Sequence, residues 1–385
     1  MLQRRAKCLL GAAFSLIFLV FFNASFAGQN GDTTVEKNKK AFDANEVIFG
    51  HISDAHEFHF FSYESGGKEH PVTISLPVIL YSPQRGFSSF MSSAFEHGEK
   101  TAKGYALLTD KSIEEWNHYG INSQKFHAGQ IIAVNENGEP DLSVKVYDLS
   151  LTRNVVQMII SLALLVWVML VIAKRYKRGE GVSTAPKGIQ SFMEPIITFI
   201  RDDIAKPNLN HKYEKYLPYI QTIFFFILIN SLVALIPGTA NVTGNIAFTM
   251  LLSLISFVVI LFSSNKHYWK HIFWPPVPHG VKFILIPVEI LGVFTKPFAL
   301  MIRLFANMVA GHIIIICLVS LIFIFGALSK IAGYAVTPFS IAFVIFIYFI
   351  EILVAFLQAY IFAMLTAVFI GQAFESEHHD EKVHI

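Results

Sequence analysis

Five ionisable side chains sit where the chain is otherwise almost purely apolar: Glu289, Lys296, Arg303, His312 and Glu351, set among Ile, Leu, Phe and Val. A charge at the centre of a bilayer costs about 2.5 kcal/mol or more, so the default chemistry for such groups is ion or proton movement. His312 and Glu351 are types that bind and release protons near neutral pH once burial and neighbours adjust them. Arg303 cannot shed its charge, because a guanidinium pKa lies above about 12. A permanent cation between two titratable groups bars direct proton passage and leaves two half-paths to be joined by another carrier. Two of the five have a plain structural alternative. Lys296 could snorkel from a helix end, and Glu289 could be its buried ion-pair partner.

The elements that must position these groups form a helical hairpin. Residues 281–327 and 337–374 each read as one apolar helix, separated by a polar joint holding Lys330, Gly333 and Pro338. In antiparallel helices, opposed residue numbers share a nearly constant sum. Arg303 with Gln358 gives 661, His312 with Glu351 gives 663 and Glu289 with Gln372 gives 661, a register that turns near residue 331. Glu351 and Gln358, seven apart, lie on one helical face. At 1.5 Å per residue the helices extend to roughly 70 and 55 Å, too long to stand upright in a slab of about 30 Å. The pair is therefore expected to lie inclined, bent or packed along a large curved partner. Pro287, Pro297, Gly311 and Gly326 offer the bends.

The whole chain agrees with a membrane setting. Of 385 residues, 54% are apolar and only 15% charged, against about 25% charged in ordinary globular proteins, and the mean hydropathy is +0.51. The net charge of +2 leaves no nucleic-acid footprint. Cys8 and Cys317 are too few for a disulfide framework or a cysteine metal site. No phosphate-binding GxxxxGK[ST] loop occurs, so nucleotide chemistry on this chain is excluded and no cofactor is expected.

Residues 1–27 read as a signal peptide: Arg4, Arg5 and Lys7, an apolar run over 8–22, and Ser25-Phe26-Ala27 before the cleavage point. Residues 28–150 are polar and predict a small β-rich domain outside the cytoplasm with a flexible start. The segment 72–81 has strand composition, and 131–149 reads as a hairpin turning at NENGEP. His51, Asp54, His56, Glu57 and His59 fall within nine positions there. His51, His56 and His59 are weak candidates for a zinc or copper site, the simpler alternative being a histidine-rich strand or docking surface. Residues 151–385 form the membrane domain, with spans predicted at 155–173, 217–236, 246–264, 281–327 and 337–374 and an interfacial helix at 189–204. The basic segments 174–179 and 265–280 place their loops in the cytoplasm by the positive-inside rule. The N-terminal domain is then periplasmic and the C-terminus cytoplasmic. The fold class is a mainly α polytopic membrane protein, with about five membrane-embedded helices ending in a long inclined hairpin and a small β-rich domain in front.

At RLFANMVAGH (303–312) the chain resembles subunit a of F-type ATP synthases, and the likeness continues in TKPFALMIRLF (295–305), LQAYIFAMLTAVFI (357–370) and GNIAFT (244–249). It covers about residues 150–374. The resemblance implies a stator channel subunit of the membrane sector, non-catalytic in itself, in a bacterial inner membrane. Its implied partners are the c-ring, the peripheral-stalk b subunits, membrane lipid and, indirectly, the F1 sector. It makes Arg303 the arginine that faces the c-ring, promotes ionisation of the ring carboxylate and separates two proton half-channels. Asn307 and Gln358 become polar partners around it, and Glu289 the acid of the inner half-channel. His312 and Glu351 take positions that hold Glu and His in some bacteria, an exchange that still supplies one acid and one base. Lys296 and Gln372 are supporting polar groups. Ala306 replaces the family's usual glycine, and the domain at 28–150 exceeds the family's short leader.

A self-contained ion-coupled transporter, with Arg303 binding an anion, is the alternative. Such folds often carry internal repeats, and none is visible here. A sensor or adhesin acting through residues 28–150 would leave the buried charges without a role.

Overall fold

The structure, a computed structural model, describes residues 54–65, 68–98, 100–109, 112–113, 129–135, 138–141, 143–181, 184–236, 238–275 and 277–374. The expected signal peptide at 1–27 and His51 lie outside the described residues, as does the side chain of His59.

The N-terminal part is built from short antiparallel strands. β1 (Glu57–Ser65) pairs with β2 (Lys68–Ser75). β3 (Pro77–Ser82) pairs with β4 (Gly86–Met91) on one side and with β7 (Tyr147–Asp148) on the other. β5 (Tyr105–Leu107) pairs with β6 (Ile131–Ala133). The period of two along β3 sends Val78 and Leu80 inward against Phe95, Tyr105, Ile131 and Ala133, all buried. Among the described residues, the hairpin expected over 131–149 closes only near its tip, where Val134 bridges Pro140 and the amide of Asp141 donates to Ala133. Asp141 then accepts from the amide and hydroxyl of Ser143, a local turn that bends the chain away. β7 is thereby released from β6 and completes the β3–β4 sheet instead.

The rest is helical: α1 (Arg153–Lys177), α2 (Ile189–Phe199), α3 (Lys206–Leu209), α4 (Tyr213–Ala234), α5 (Ile246–Ser263), α6 (Lys266–Phe273), α7 (His279–Leu328) and α8 (Lys330–Phe374). A π-helical turn, Ile200–Ala205, continues α2 into α3, with Ile200 and Ile204 fully buried. Among the described residues, five helical stretches are long and apolar enough to cross a membrane: Arg153–Lys177, Ile189–Ala234, Ile246–Ser263, Gly280–Leu328 and Lys330–Phe374. The chain is thus a mainly α, multi-pass membrane protein.

The core is a seam of small residues. Ala355, Ala359, Ala363 and Ala367 recur every four positions on α8 and are fully buried, so α4 and the π turn approach that helix closely. Gly371 extends the stripe, and a Cβ there would fall on the main-chain carbonyl of Asn208. Phe224 and Phe225 fill the space beside it. At the start of α5 its N-cap, Asn245, accepts from the amides of Ala247 and Phe248.

α7 and α8 are 50 and 45 residues long, about 75 and 68 Å at helical rise. The polar joint read between them is itself helical from Lys330 onward, and only Ser329 breaks the run. The reason is a glycine crossing: a Cβ on Gly333 would come within 2.9 Å of the Gly326 Cα. Backbones that touch need only a one-residue connection. The hydroxyl of Ser340 donating to the carbonyl of Leu318 ties the pair one level further on.

Candidate proton path along the α7–α8 hairpin

The ionisable groups of the hairpin fall at three levels. Arg303 lies nine residues from His312 and seven from Lys296 on α7, so the levels are separated by about 13 and 10 Å of helix.

Nearest the hairpin turn, His312 on α7 meets Glu351 on α8. The His312 Nδ1 lies 3.6 Å from Glu351 Oε1, within ion-pair range but too long for a hydrogen bond. Each ring nitrogen also faces a carbonyl: Nδ1 is 3.1 Å from Met308 O and Nε2 is 3.0 Å from Ala234 O. A neutral imidazole carries one N–H and can donate to only one of these, whereas the imidazolium can serve both. Both carboxylate oxygens of Glu351 are buried without a hydrogen-bond partner. Gly311 makes room for them, since a Cβ there would fall on the Glu351 carboxylate.

Sequence reasoning that looked for charge missed a set of polar groups beside this pair. Asn230 and Ser231, one turn before Ala234 on α4, are fully buried, and Asn230 Oδ1 and Ser231 Oγ have no partner. Ser161 Oγ on α1, and Asn241 Nδ2 and Thr243 Oγ1 in the loop after α4, are likewise buried and unpaired. The loop is held by Gln157 of α1, whose amide donates to Ala240 O and accepts from Ala240 N, each at 2.6 Å. The available signal was the polar pair Asn230-Ser231 inside a stretch, 217–265, that has no charge at all.

The middle level differs in kind. Arg303 is exposed and makes no hydrogen bond or ion pair with any described residue. Its neighbours on the same face of α7 are Ala299, Ile302, Ala306, Asn307 and Ala310, all exposed. Gln358 on α8 is buried, so the structure does not join it to Arg303 by a hydrogen bond. The register sum thus identifies a shared level but not a contact.

At the far end, Lys296 Nζ donates to Gln372 Oε1 at 3.3 Å and lies 4.9 Å from the centre of the Phe369 ring. Gln372 therefore meets Lys296 directly, seven residues along from the Glu289 that the register sum assigned to it. Glu289 joins both through a cavity of about 300 Å³, lined also by Tyr268, Ile272, Gly292 and Val293. Tyr268, on the short amphipathic α6, is a further residue that sequence reasoning missed. Burial raises its phenol pKa, and the negative charge of Glu289 raises it further.

Of the histidines considered for a metal, His56 is buried and its Nε2 lies 2.9 Å from Asp148 Oδ2. Among the described residues no group of three His, Cys, Asp or Glu side chains is arranged to hold a metal ion.

Comparison with known proteins shows the family. Residues 155–371, more than half of the chain, match the family model described as ATP synthase A chain, and residues 47–149 match one described as a domain of unknown function. The chain is 45% identical over 249 residues to ATP synthase subunit a of Chloroherpeton thalassium, covering 64% of this chain and 73% of that protein. It is 44% identical over 291 residues to ATP synthase subunit a of Chlorobium phaeobacteroides, covering 74% and 80%. With subunit a of Myxococcus xanthus it shares 38% identity over 266 residues, 65% of this chain and 82% of that one. The chain belongs to the ATP synthase A chain family, that of ATP synthase subunit a.

Proposed function

We propose that this chain supplies two proton half-channels to a c-ring, kept apart by Arg303, in the membrane sector of a rotary ATP synthase. Family membership carries the coarser statement: the chain is a proton-translocating stator component of that sector and a multi-pass membrane protein. The finer reading is supported chiefly by one observation. A permanent cation stands exposed, and unpaired among the described residues, in the apolar region, on a face of α7 lined by Ala299, Ala306 and Ala310. Lipid gives such a charge no compensation, while small residues allow a partner helix to approach closely. A carboxylate on that helix is the partner of matching chemistry.

In this reading Arg303 attracts a ring carboxylate in its ionised form, so a proton is released as the site arrives. The proton leaves through the cavity holding Glu289, Lys296 and Gln372. Reloading comes from the other side, through the buried polar groups Ser161, Asn230, Ser231 and Thr243 to His312 and Glu351. Buried polar atoms without protein partners are suited to bridging water, which supports a wet path there. Asn307, one turn from Arg303, steadies the ring side, and Gln358 lies behind it.

Residues 1–27 then act as a signal peptide, 28–150 as a periplasmic domain and 151–385 as the membrane domain, with the C-terminus cytoplasmic. The peripheral-stalk b subunits hold the chain against the turning ring. The decisive test is Arg303→Ala in the assembled enzyme. ATP synthesis driven by a proton gradient should vanish, while ATP hydrolysis by the detached peripheral head is unchanged. Retained coupled synthesis overturns the reading.

A further inference from the structure

We infer that the outer face of the β3–β4–β7 sheet is a membrane-resting surface that seats the N-terminal domain on the lipid headgroup layer beside α1. The face is mostly apolar and aromatic, with Ser89 its polar member between Phe87 and Met91. Tyr81 stands between Phe87 and Tyr147 in the strand register, its ring 6.4 Å from that of Tyr147, and Met91 and Leu149 flank them. Phe87, Leu149 and Tyr147 are 67%, 62% and 53% exposed. A contiguous apolar patch of this kind marks a contact surface rather than ordinary solvent exposure. Asp148, the charged residue between Tyr147 and Leu149, points the other way, to His56.

Continuity with the membrane part identifies the occupant. Only four residues, 149–152, separate β7 from α1, and they stay hydrogen-bonded to β3. The Leu149 amide donates to Ile79 O, the Leu151 amide to Pro77 O, and helix α1 starts at Arg153. The junction is fixed on its other side by the Arg153 amide donating to Ala55 O at 2.8 Å and that of Asn154 to Asp54 Oδ1 at 3.3 Å. At about 3.3 Å per residue, Leu149 and Tyr147 lie no more than roughly 13 and 20 Å from the first residue of a membrane-crossing helix. The headgroup layer is about 5–8 Å deep on each side of the hydrocarbon. The face of α1 beyond the junction that carries Ile159, Ile160 and Trp167 is exposed and apolar, as a helix surface turned to lipid would be. Tyrosines with an apolar ring and a polar tip are the side chains such a boundary favours.

The test uses the full chain with Cys8 and Cys317 replaced by serine. Nitroxide labels go on Phe87→Cys and Met91→Cys, with Lys100→Cys as control, an exposed site just after a short 3-10 helix, Ser92–Gly98, whose Phe95 packs on the sheet's opposite side. In vesicles of phosphatidylcholine and phosphatidylglycerol, the labels at 87 and 91 should lose access to a water-soluble nickel chelate and gain collisions with oxygen, relative to 100. Phe87→Asp added to the Met91→Cys chain should restore nickel access. Equal access at all three sites overturns the inference. So does shielding from nickel without a gain in oxygen collisions, which means that polypeptide, from a partner subunit or from residues outside those described, covers the face.

Discussion

The two titratable ends of the hairpin and its middle are built in opposite ways. Around Glu351 everything is internal: the carboxylate is buried, Gly311 is shaped to it, and His312 reaches across from the other helix. Around Arg303 nothing is internal, since the side chain is exposed with no hydrogen-bond or ion-pair partner among the described residues. Groups that exchange protons must be held where neighbours set their affinity. A fixed charge that acts on another molecule must instead be presented to it. The difference teaches that one level of this site is enclosed by its own helices while the other is presented on the surface, as the proposed contact with a ring carboxylate requires.

Substitutions that fill space on the two sides should separate these roles. Gly311→Val drives a side chain into the Glu351 carboxylate. Overpacking of this kind costs about 1–3 kcal/mol, and proton-driven ATP synthesis should fall by about tenfold or more, together with the melting temperature of the isolated subunit. Ala306→Leu, on the exposed face, should also lower coupled synthesis but leave the subunit's own melting unchanged. Equal destabilisation by both would erase the contrast.

Gly371→Ala tests packing with no titratable group involved. Its Cβ would fall on the main-chain carbonyl of Asn208, so thermal unfolding should shift down by the equivalent of about 1–3 kcal/mol. A smaller effect is expected for Gln157→Ala. It leaves the buried amide and carbonyl of Ala240 unpaired, a cost of about 1–3 kcal/mol shared with whatever water enters. Hydrogen exchange should quicken over 238–244 while the Arg303 level is unaffected.

The smallest effect belongs to the domain junction. Burial works to raise the pKa of Asp148, but hydrogen bonds from His56 and Ser150 outweigh it and hold the carboxyl below the ordinary range. A depressed carboxyl stabilises the fold above its unfolded pKa and loses that contribution as pH falls through the folded value. Acidification below about pH 4 should therefore speed exchange over 147–154, and His56→Ala should remove much of that pH dependence.

Much of the membrane part was legible in the sequence, because lipid imposes simple rules. Long uncharged runs mark helices, and the few charges left inside them stand out, which is how Arg303, His312, Glu351, Glu289 and Lys296 were found. Neutral polar groups such as Asn230, Ser231 and Gln157 gave weak signals, since their meaning depends on which helix lies opposite. The β-rich part was less legible: the segment 131–149 has hairpin composition, but the Asp141–Ser143 turn hands β7 to another sheet. The linear chain by itself determined the helical, multi-pass character and the identity of the charged groups, since hydropathy and residue type are local properties. Only the tertiary structure decided that Glu351 is enclosed while Arg303 is presented outward, and that Gln372 meets Lys296. Those outcomes depend on where glycines and alanines let two long helices touch, a property of pairs of surfaces and not of either strand of sequence alone.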